Sequence, residues 1–446
     1  MKLIKSFDAF LKNKVNLSDA RIDMLDARVE AVTNFLQTGD DEFAINFIDV
    51  IPQGSYAHRT IINPVAVGDE FDADVLLEME EVDGWEAEDY VEALYKKFHD
   101  NSTYKDMVGR HDRCVKVDYA NEFHIDVVPY LERHGQHFIT NRITNEFELT
   151  NPEGFNDWLD GRNRLASGYL VKVIRLVKYL RDYKSNFSVK SVILTILLGG
   201  RVNDAAAWGT TVEYSDLPTA LKNIVGALDD YLQANPAAPS IDDPSEPTEN
   251  FNHRVDPDEY VNFRAKLHLY RGWIDDAYDE TDVEESKAKW RKVFGDSFGT
   301  YAAVKKSLEA HRGVTGVTDT NEEIATKFSA IRIDPQVRLK LNGTVKRRKG
   351  FRDYELGRVG NFVPRKLNIE FRASHNIAVP FDLYWKVRNT GTEAITANAI
   401  RGQIVKDGGS LSRTEPTAYR GHHFVEIYAV INDVVIAIDH RDVIIK

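Results

Sequence analysis

The sequence predicts an α/β layer, then an α-helical unit, then a β-rich C-terminal region, and three observations carry that reading. Short apolar runs with two-residue alternation, FAINFIDVIP, FDADVLLEM and FHIDVVPY, lie in the first third of the chain, interrupted by helical patterns. From about 160 to 310 the apolar residues recur at helical spacing. Beyond about 330 alternation returns in KLNIEFRASHNIAVPFDLYWKVRN and GHHFVEIYAVINDVVIAIDHRDVIIK, with turn residues between. A chain of 446 residues exceeds one ordinary core, and the expected domains are 1–160, 161–315 and 316–446.

Taken in order, residues 17–38 read as a helix, with Leu17, Ile22, Leu25, Val29, Val32 and Leu36 on one face. The segment that opens the chain has helical periodicity without a continuous apolar core, so it reads as neither secretory signal nor membrane anchor, and a cytoplasmic protein is expected. WEAEDYVEALYKKFHDN reads as a helix, and RCVKVDYANEFHIDVVPY as a hairpin around Ala120 and Asn121. LASGYLVKVIRLVKYLRDYKSN is amphipathic, and KSVILTILLGGRV is apolar enough to be a buried helix. By composition alone, NPAAPSIDDPSEPTENFNHR at 235–254 looks like a disordered linker. Helices return in DPDEYVNFRAKLHLYRGWIDDAYD and EESKAKWRKVFGDSF.

The chemistry is concentrated in the first domain. On a strand Asp72 and Asp74 share one face while Phe71, Ala73 and Val75 take the other; in FHIDVV the same rule puts His124 and Asp126 opposite Phe123, Ile125 and Val127. If the two strands are neighbours, three carboxylates converge. Their repulsion is relieved by a divalent cation, and Mg²⁺ is the hard, oxygen-preferring candidate. Gly54 and Ser55 follow an apolar run where a strand should turn into a helix, so backbone N–H groups and a hydroxyl can meet phosphate there. Singly these are weak signals, since a Gly-Ser pair is usually a turn and a D-x-D usually a solvated face. In this order, with D-x-D about seventeen residues after Gly-Ser and a third Asp on a separate strand, they form the pattern of polymerase-beta-like nucleotidyltransferases.

Other features narrow the partners. A formal charge of −13 argues against a long nucleic acid and for small nucleotides. The one cysteine, Cys114, excludes an internal disulfide or a cysteine-based zinc site and reads as buried structure. The basic run VKRRKGFRDYELGRVGNFVPRK, from Lys346 to Lys366, reads as a solvated loop, with a phosphate-binding rim as the alternative. His124 reads as a groove or core histidine rather than a base, and His422 and His423, strand neighbours, cannot easily share one ion.

QGSY at 53–56, FDADVLLEM and HIDVVPY resemble the bacterial CD-NTases of CBASS antiphage systems, relatives of cyclic GMP-AMP synthase and oligoadenylate synthase. The resemblance implies Asp72, Asp74 and Asp126 as catalytic residues and metal ligands, and Gln53, Gly54 and Ser55 as triphosphate contacts. RLVKYLRD followed by SVKSVILTILL is similar to the family's helical pair and implies that Lys178 and Ser191 bind donor phosphates. On residues alone Lys178 is a solvated helix lysine. IDDPSEPTEN at 241–250 also resembles a segment of the family's helical domain, which keeps it inside 161–315. FDLYWKVRNTG, AIRGQI and YRGHHFVEIYAVINDVVIAID are similar to the AGS-C sensor domain. There Trp385 reads physically as core and Arg401 as a surface charge, while the resemblance suggests a ligand pocket touched by Arg388, Asn389 and Arg401.

The activity implied is synthesis of a cyclic di- or trinucleotide from NTPs, ATP and GTP among them, with Mg²⁺ or Mn²⁺ and a separately encoded effector as the product's target. The motif does not itself encode ring closure, and a linear product uses the same carboxylates. Two other readings are transfer of a nucleotide to RNA, protein or a small molecule, and a non-catalytic nucleotide-binding scaffold. The three acids together count against the scaffold.

Overall fold

The computed structural model describes all residues except 67, 120–122, 204–212, 247, 301–321, 323, 335, 348–352, 357–361 and 446. Helix α1 (Ile4–Phe10) precedes α2 (Asp19–Leu36), whose Ser18 cap accepts from the Arg21 backbone N–H and whose Leu25, Val29, Val32 and Leu36 are buried. A short α3 (Glu42–Ile45) leads to β1 (Phe47–Gln53), α4 (Gly54–Ala57), β2 (Phe71–Met79) and α5 (Ala87–His99), which starts from a capping box of Glu86 and Asp89. Strands β3 (Val108–Arg110), β4 (Val115–Tyr119), β5 (Phe123–Arg133), β6 (Gln136–Asn141) and β7 (Glu146–Leu149) complete a mixed sheet of order β1-β2-β5-β4-β3, extended by β6 and β7. Alternation works as expected. Ala73, Val75, Ile125 and Val127 pack with α2 and α5 into one apolar core, each such side chain contributing about 1–3 kcal/mol, and the aspartates are left on the other face. Strands β4 and β5 pair antiparallel, Tyr119 opposite Phe123; the turn at Ala120 and Asn121 lies outside the described residues.

The helical layer contains α6 (Pro152–Leu165), α7 (Leu170–Lys184), α8 (Ser191–Gly199), α9 (Leu217–Ala234), α10 (Pro257–Asp279) and α11 (Val283–Phe294). The run LASGYLVKVIRLVKYLRDYKSN is thus not one helix. Ser167 and Gly168 take positive φ values of 53° and 78°, which ends α6 and lets α7 restart at a new angle. Residues 235–254 are not the disordered linker their composition suggests. Ile241 is buried, the Phe251 N–H donates to its carbonyl at 2.7 Å, and Asp242 bridges Asn250, so the described part is pinned to the helical core. Phe7 and Phe10 of α1 also belong to that core, edge-on to Trp290 at 4.8 Å and to Tyr179 at 5.2 Å.

The C-terminal region holds β8 (Ala330–Ile331), β9 (Leu339–Lys346), β10 (Tyr354–Glu355), β11 (Phe362–Val363), β12 (Asn368–His375) and β13 (Asp382–Arg388). These are followed by β14 (Arg401–Lys406), β15 (Ser412–Pro416), β16 (Gly421–Ile431) and β17 (Val434–Ile445). They form a sheet β10-β9-β12-β15 and a sheet β11-β17-β16-β13-β14, with β8 on β17. Leu341, Ile369 and Phe371 of the first meet Trp385, Ile427 and Val443 of the second. In the basic run Lys346 pairs with Asp353 and Glu370, each at 3.1 Å, and Arg365 with Glu393 at 3.2 Å; Arg348, Lys349, Arg352 and Arg358 lie outside the described residues. Among the described residues, no helix is long and apolar enough to cross a membrane.

Candidate active site

The parallel register of β2 and β5 brings the acids together: Asp74 lies opposite Asp126, and Asp72 opposite His124. On the other side of β2, Gln53 is the register partner of Asp74. The chain then turns at Gly54, whose φ of 58° favours glycine and where an added Cβ would collide with Asp74 Oδ2. The turn backbone is therefore pressed directly onto a carboxylate. Helix α4 is a single turn, so the dipole expected from a longer helix is not available; its N–H groups and the Ser55 hydroxyl remain as donors.

The electrostatics are those of an uncompensated cluster. Burial, then Asp72 and Asp126, push the Asp74 carboxyl up to about 7, against the pull of Lys178 and Arg254. Burial, with Asp72 adding to it, also raises Asp126, and its Oδ1 is buried without a hydrogen-bond partner, as is Gln53 Oε1. An all-oxygen donor set with an orphaned acceptor and mutual repulsion fits a hard divalent cation. Cys114 is buried beside this cluster, and burial followed by the charges of Asp126 and Asp74 holds its thiol protonated.

Lys178 corrects its residue-level reading as a solvated lysine. It is 4% exposed, and Nζ donates to Thr60 O at 3.0 Å and Thr60 Oγ1 at 3.3 Å. Burial, then Arg181, lower its pKa to about 8, while Asp72 and Asp74 act in the opposite sense from across the cleft. Ser191 begins α8, and its Oγ accepts from Arg181 Nη1 at 3.3 Å, so Arg181 bridges the serine and the lysine's helix. Arg181 and Arg254 were missed by the sequence reasoning. Arg181 was findable, three residues beyond Lys178 on the same helical face. Arg254 was not, since it ends a 3₁₀ turn in the stretch that reads as linker.

Glu70, Asp118 and His124 form a second acidic group at the start of β2 and β5, with ligand atoms within 4.8 Å of one another. His124 sits half-buried there, Nδ1 3.7 Å from Glu70, which is the groove position expected of it.

In the C-terminal region Trp385 is core, with Nε1 donating to Asp407 at 2.8 Å. Arg401 is not a lone surface charge: Nη1 and Nη2 bind Glu415 at 2.5 and 3.0 Å. Asn389 donates to Ala399 O at 2.7 Å and Arg388 to Arg401 O at 3.3 Å. Asn389, Arg401, Glu415 and His423 line a cavity of about 220 Å³ between the two sheets; Arg388 lies beside it. His423 receives the Thr390 N–H at 3.2 Å, whereas His422 faces Asp26 at 3.9 Å.

Residues 1–163 match the model of the Second Messenger Oligonucleotide or Dinucleotide Synthetase domain, and 318–446 that of the Adenylyl/Guanylyl and SMODS C-terminal sensor domain. A c-di-GMP synthase of Roseivirga ehrenbergii is 24% identical over 65% of this chain and 83% of its own. A cyclic AMP-AMP-AMP synthase of an Acinetobacter species is 24% identical over 60% of this chain and 78% of its own. Among solved structures, E. coli MS115-1 CdnC with ATP superposes with a TM-score of 0.52 at 21% identity, covering 66% of this chain and 98% of that one. Vibrio cholerae DncV cyclic AMP-GMP synthase with a nonhydrolyzable GTP gives 0.53 at 17% identity, covering 67% and 97%. The chain thus matches a second-messenger oligonucleotide synthetase domain and the C-terminal sensor domain, in this order around a helical layer, and it resembles the bacterial CD-NTases, nucleotidyltransferases that build cyclic di- and trinucleotides from NTPs.

Proposed function

We propose that this chain joins NTPs, ATP and GTP among them, into a cyclic di- or trinucleotide in the cytoplasm, and that the product activates a separately encoded effector in antiphage defence. The observation that carries the reading is the register of Asp74 against Asp126 with the Gly54 backbone pressed onto the same carboxylate. Asp72, Asp74 and Asp126 would hold the divalent metal, Mg²⁺ or Mn²⁺ in its place. When bound, the metal supplies a lowered pKa for the attacking ribose hydroxyl and neutralises charge on the departing pyrophosphate.

The protein's own groups do the positioning. Gly54 lets the turn approach the triphosphate, and Gln53, whose Oε1 lacks a partner, and Ser55 fix its orientation. Lys178 and Ser191 hold donor phosphates from the helical side; Arg181 orients Ser191, and Arg254 adds positive charge near Asp74. The cavity beside Arg401 is the place for a ligand of the sensor domain.

The test is incubation with the four NTPs, one at a time α-labelled, in Mg²⁺ or Mn²⁺, followed by phosphatase and separation. Phosphatase-resistant label is expected from the wild type and none from Asp72→Ala/Asp74→Ala. Synthesis by the double variant would overturn the assignment.

A further inference from the structure

Segment 54–60 carries the candidate phosphate turn and is held from several directions. The Tyr56 hydroxyl donates to Asp26 at 2.5 Å, and His58 pairs with Asn156 at 2.6 Å while stacking on Phe155. Arg59, at a φ of 56°, reaches out of the catalytic layer, and its Nη1 donates to Asp442 Oδ1 of β17 at 2.6 Å. The next residue, Thr60, is 1% exposed and receives Lys178. Consecutive residues thus grip the sensor domain and the donor-site lysine.

The far side of this pair is also built. Asp442 faces His440 Nε2 at 2.9 Å, and His440 Nδ1 faces Glu426 at 3.2 Å. Two residues along, on the same face of β17, Ile444 is buried in the catalytic α/β core. Across the gap, α7 carries Arg175 one turn before Lys178. Arg175 Nη1 donates to Asn16 at 2.8 Å, while its Nε and Arg59 Nη2 are buried without hydrogen-bond partners. Asp442 pairs directly with Arg59, and its negative charge also acts on Arg175. Without it, two half-buried cations, Arg59 and Arg175, repel each other between segment 54–60 and α7, the two elements that close on one nucleotide in the proposed donor site.

We propose that the Arg59–Asp442 pair is a positioning contact through which the C-terminal domain sets donor-nucleotide affinity, by neutralising the Arg59–Arg175 repulsion that would otherwise part Thr60 from Lys178. The proposal rests on the assignment of Lys178 and the Gly54 turn to the donor site. It makes Asp442 and Arg59 determinants of nucleotide binding although neither touches the reacting atoms.

The experiment is binding of non-hydrolysable ATP and GTP analogues to the full chain in Mg²⁺, with melting temperatures in parallel; no turnover is required. Asp442→Asn should weaken binding about tenfold. Adding Arg175→Met, which removes one of the opposed cations, should bring affinity back to within about threefold of the wild type, a recovery that a merely structural loss would not show. Arg59→Lys, the milder variant, keeps the charge but loses the guanidinium's reach, and should cost about threefold. Wild-type binding by Asp442→Asn and Arg59→Lys, with Lys178→Ala weakened, overturns the coupling and leaves the donor site standing. Failure of Arg175→Met to restore binding also overturns it. Wild-type binding by Lys178→Ala removes the donor-site assignment and the proposal with it.

Discussion

The candidate active-site cleft and the C-terminal domain bury charge in opposite ways. In the cleft, burial and neighbouring carboxylates raise Asp74 to about 7 and raise Asp126, and the positive groups among the described residues, Lys178 and Arg254 at the first and His124 and Lys116 at the second, do not reverse either. In the C-terminal domain burial acts on Glu415 and Asp442 too, yet Arg401 and Arg413 outweigh it at the first, and Arg59 and His440 at the second, so both carboxyls fall below their ordinary range. A compensated buried charge holds structure together. An uncompensated one is a cost that a proton or a bound cation can remove, which is what makes the cleft the candidate site of chemistry.

The contrast breaks most sharply at the aspartates. Asp72→Ala/Asp74→Ala should reduce turnover by at least about 10³-fold while leaving the melting temperature unchanged or higher in the absence of divalent cation, because the repulsion is relieved. Saturating cation, at about 100 times its dissociation constant, should stabilise the wild type by about 2.7 kcal/mol and the double variant hardly at all, as read by thermal unfolding. Equal stabilisation of both would place the cation elsewhere.

Gly54→Ala tests the turn without touching a charge. The added Cβ must displace Asp74 or the backbone, and an activity loss of about 10²-fold is expected with the sheet intact by circular dichroism. Activity within threefold of the wild type would show that the turn tolerates movement. On the compensated side, Glu415→Gln should cost about 1–2 kcal/mol, read as a lower denaturant midpoint at constant slope, because Arg401, about a third exposed and partly screened by solvent, loses its charged acceptor.

The smallest effect is a pH dependence. Burial alone would lower His440, but Asp442 and Glu426 outweigh it and raise the imidazole from 6.5 to about 10. A raised folded pKa gives stability that is complete below 6.5 and lost as pH rises through 10. His440→Gln should therefore lower the melting temperature most at pH 6.5, with the gap to the wild type closing towards pH 10. A gap constant over that window would mean that His440 is neutral in the folded protein.

Much of the site was legible because alternation is local. FDADVLLEM and FHIDVVPY each state which side chains face the core, and burial follows that reading residue by residue through Ala73, Val75, Ile125 and Val127. Composition misled at 235–254, where Pro and acidic residues mask a segment pinned through Ile241, and at Lys178, whose polar side chain gives no hint that Thr60 waits for it in the interior. The break at Ser167 and Gly168 falls inside a run that reads as amphipathic, and the positive φ values of both residues are what end one helix there and start the next.

By itself the sequence determined the faces: which residues of each strand and helix seek the core, where the turn glycine sits, and that the acids of two strands are turned away from that core. Tertiary structure decided the partners. Whether Asp74 meets Asp126 depends on a parallel register between strands about fifty residues apart, and whether Arg59 meets Asp442 on a contact spanning 383 residues. Periodicity is a property of neighbours along the chain and can be read there; register and charge pairing are set by the packing of whole layers, a sum of many weak non-local contacts that no single segment contains.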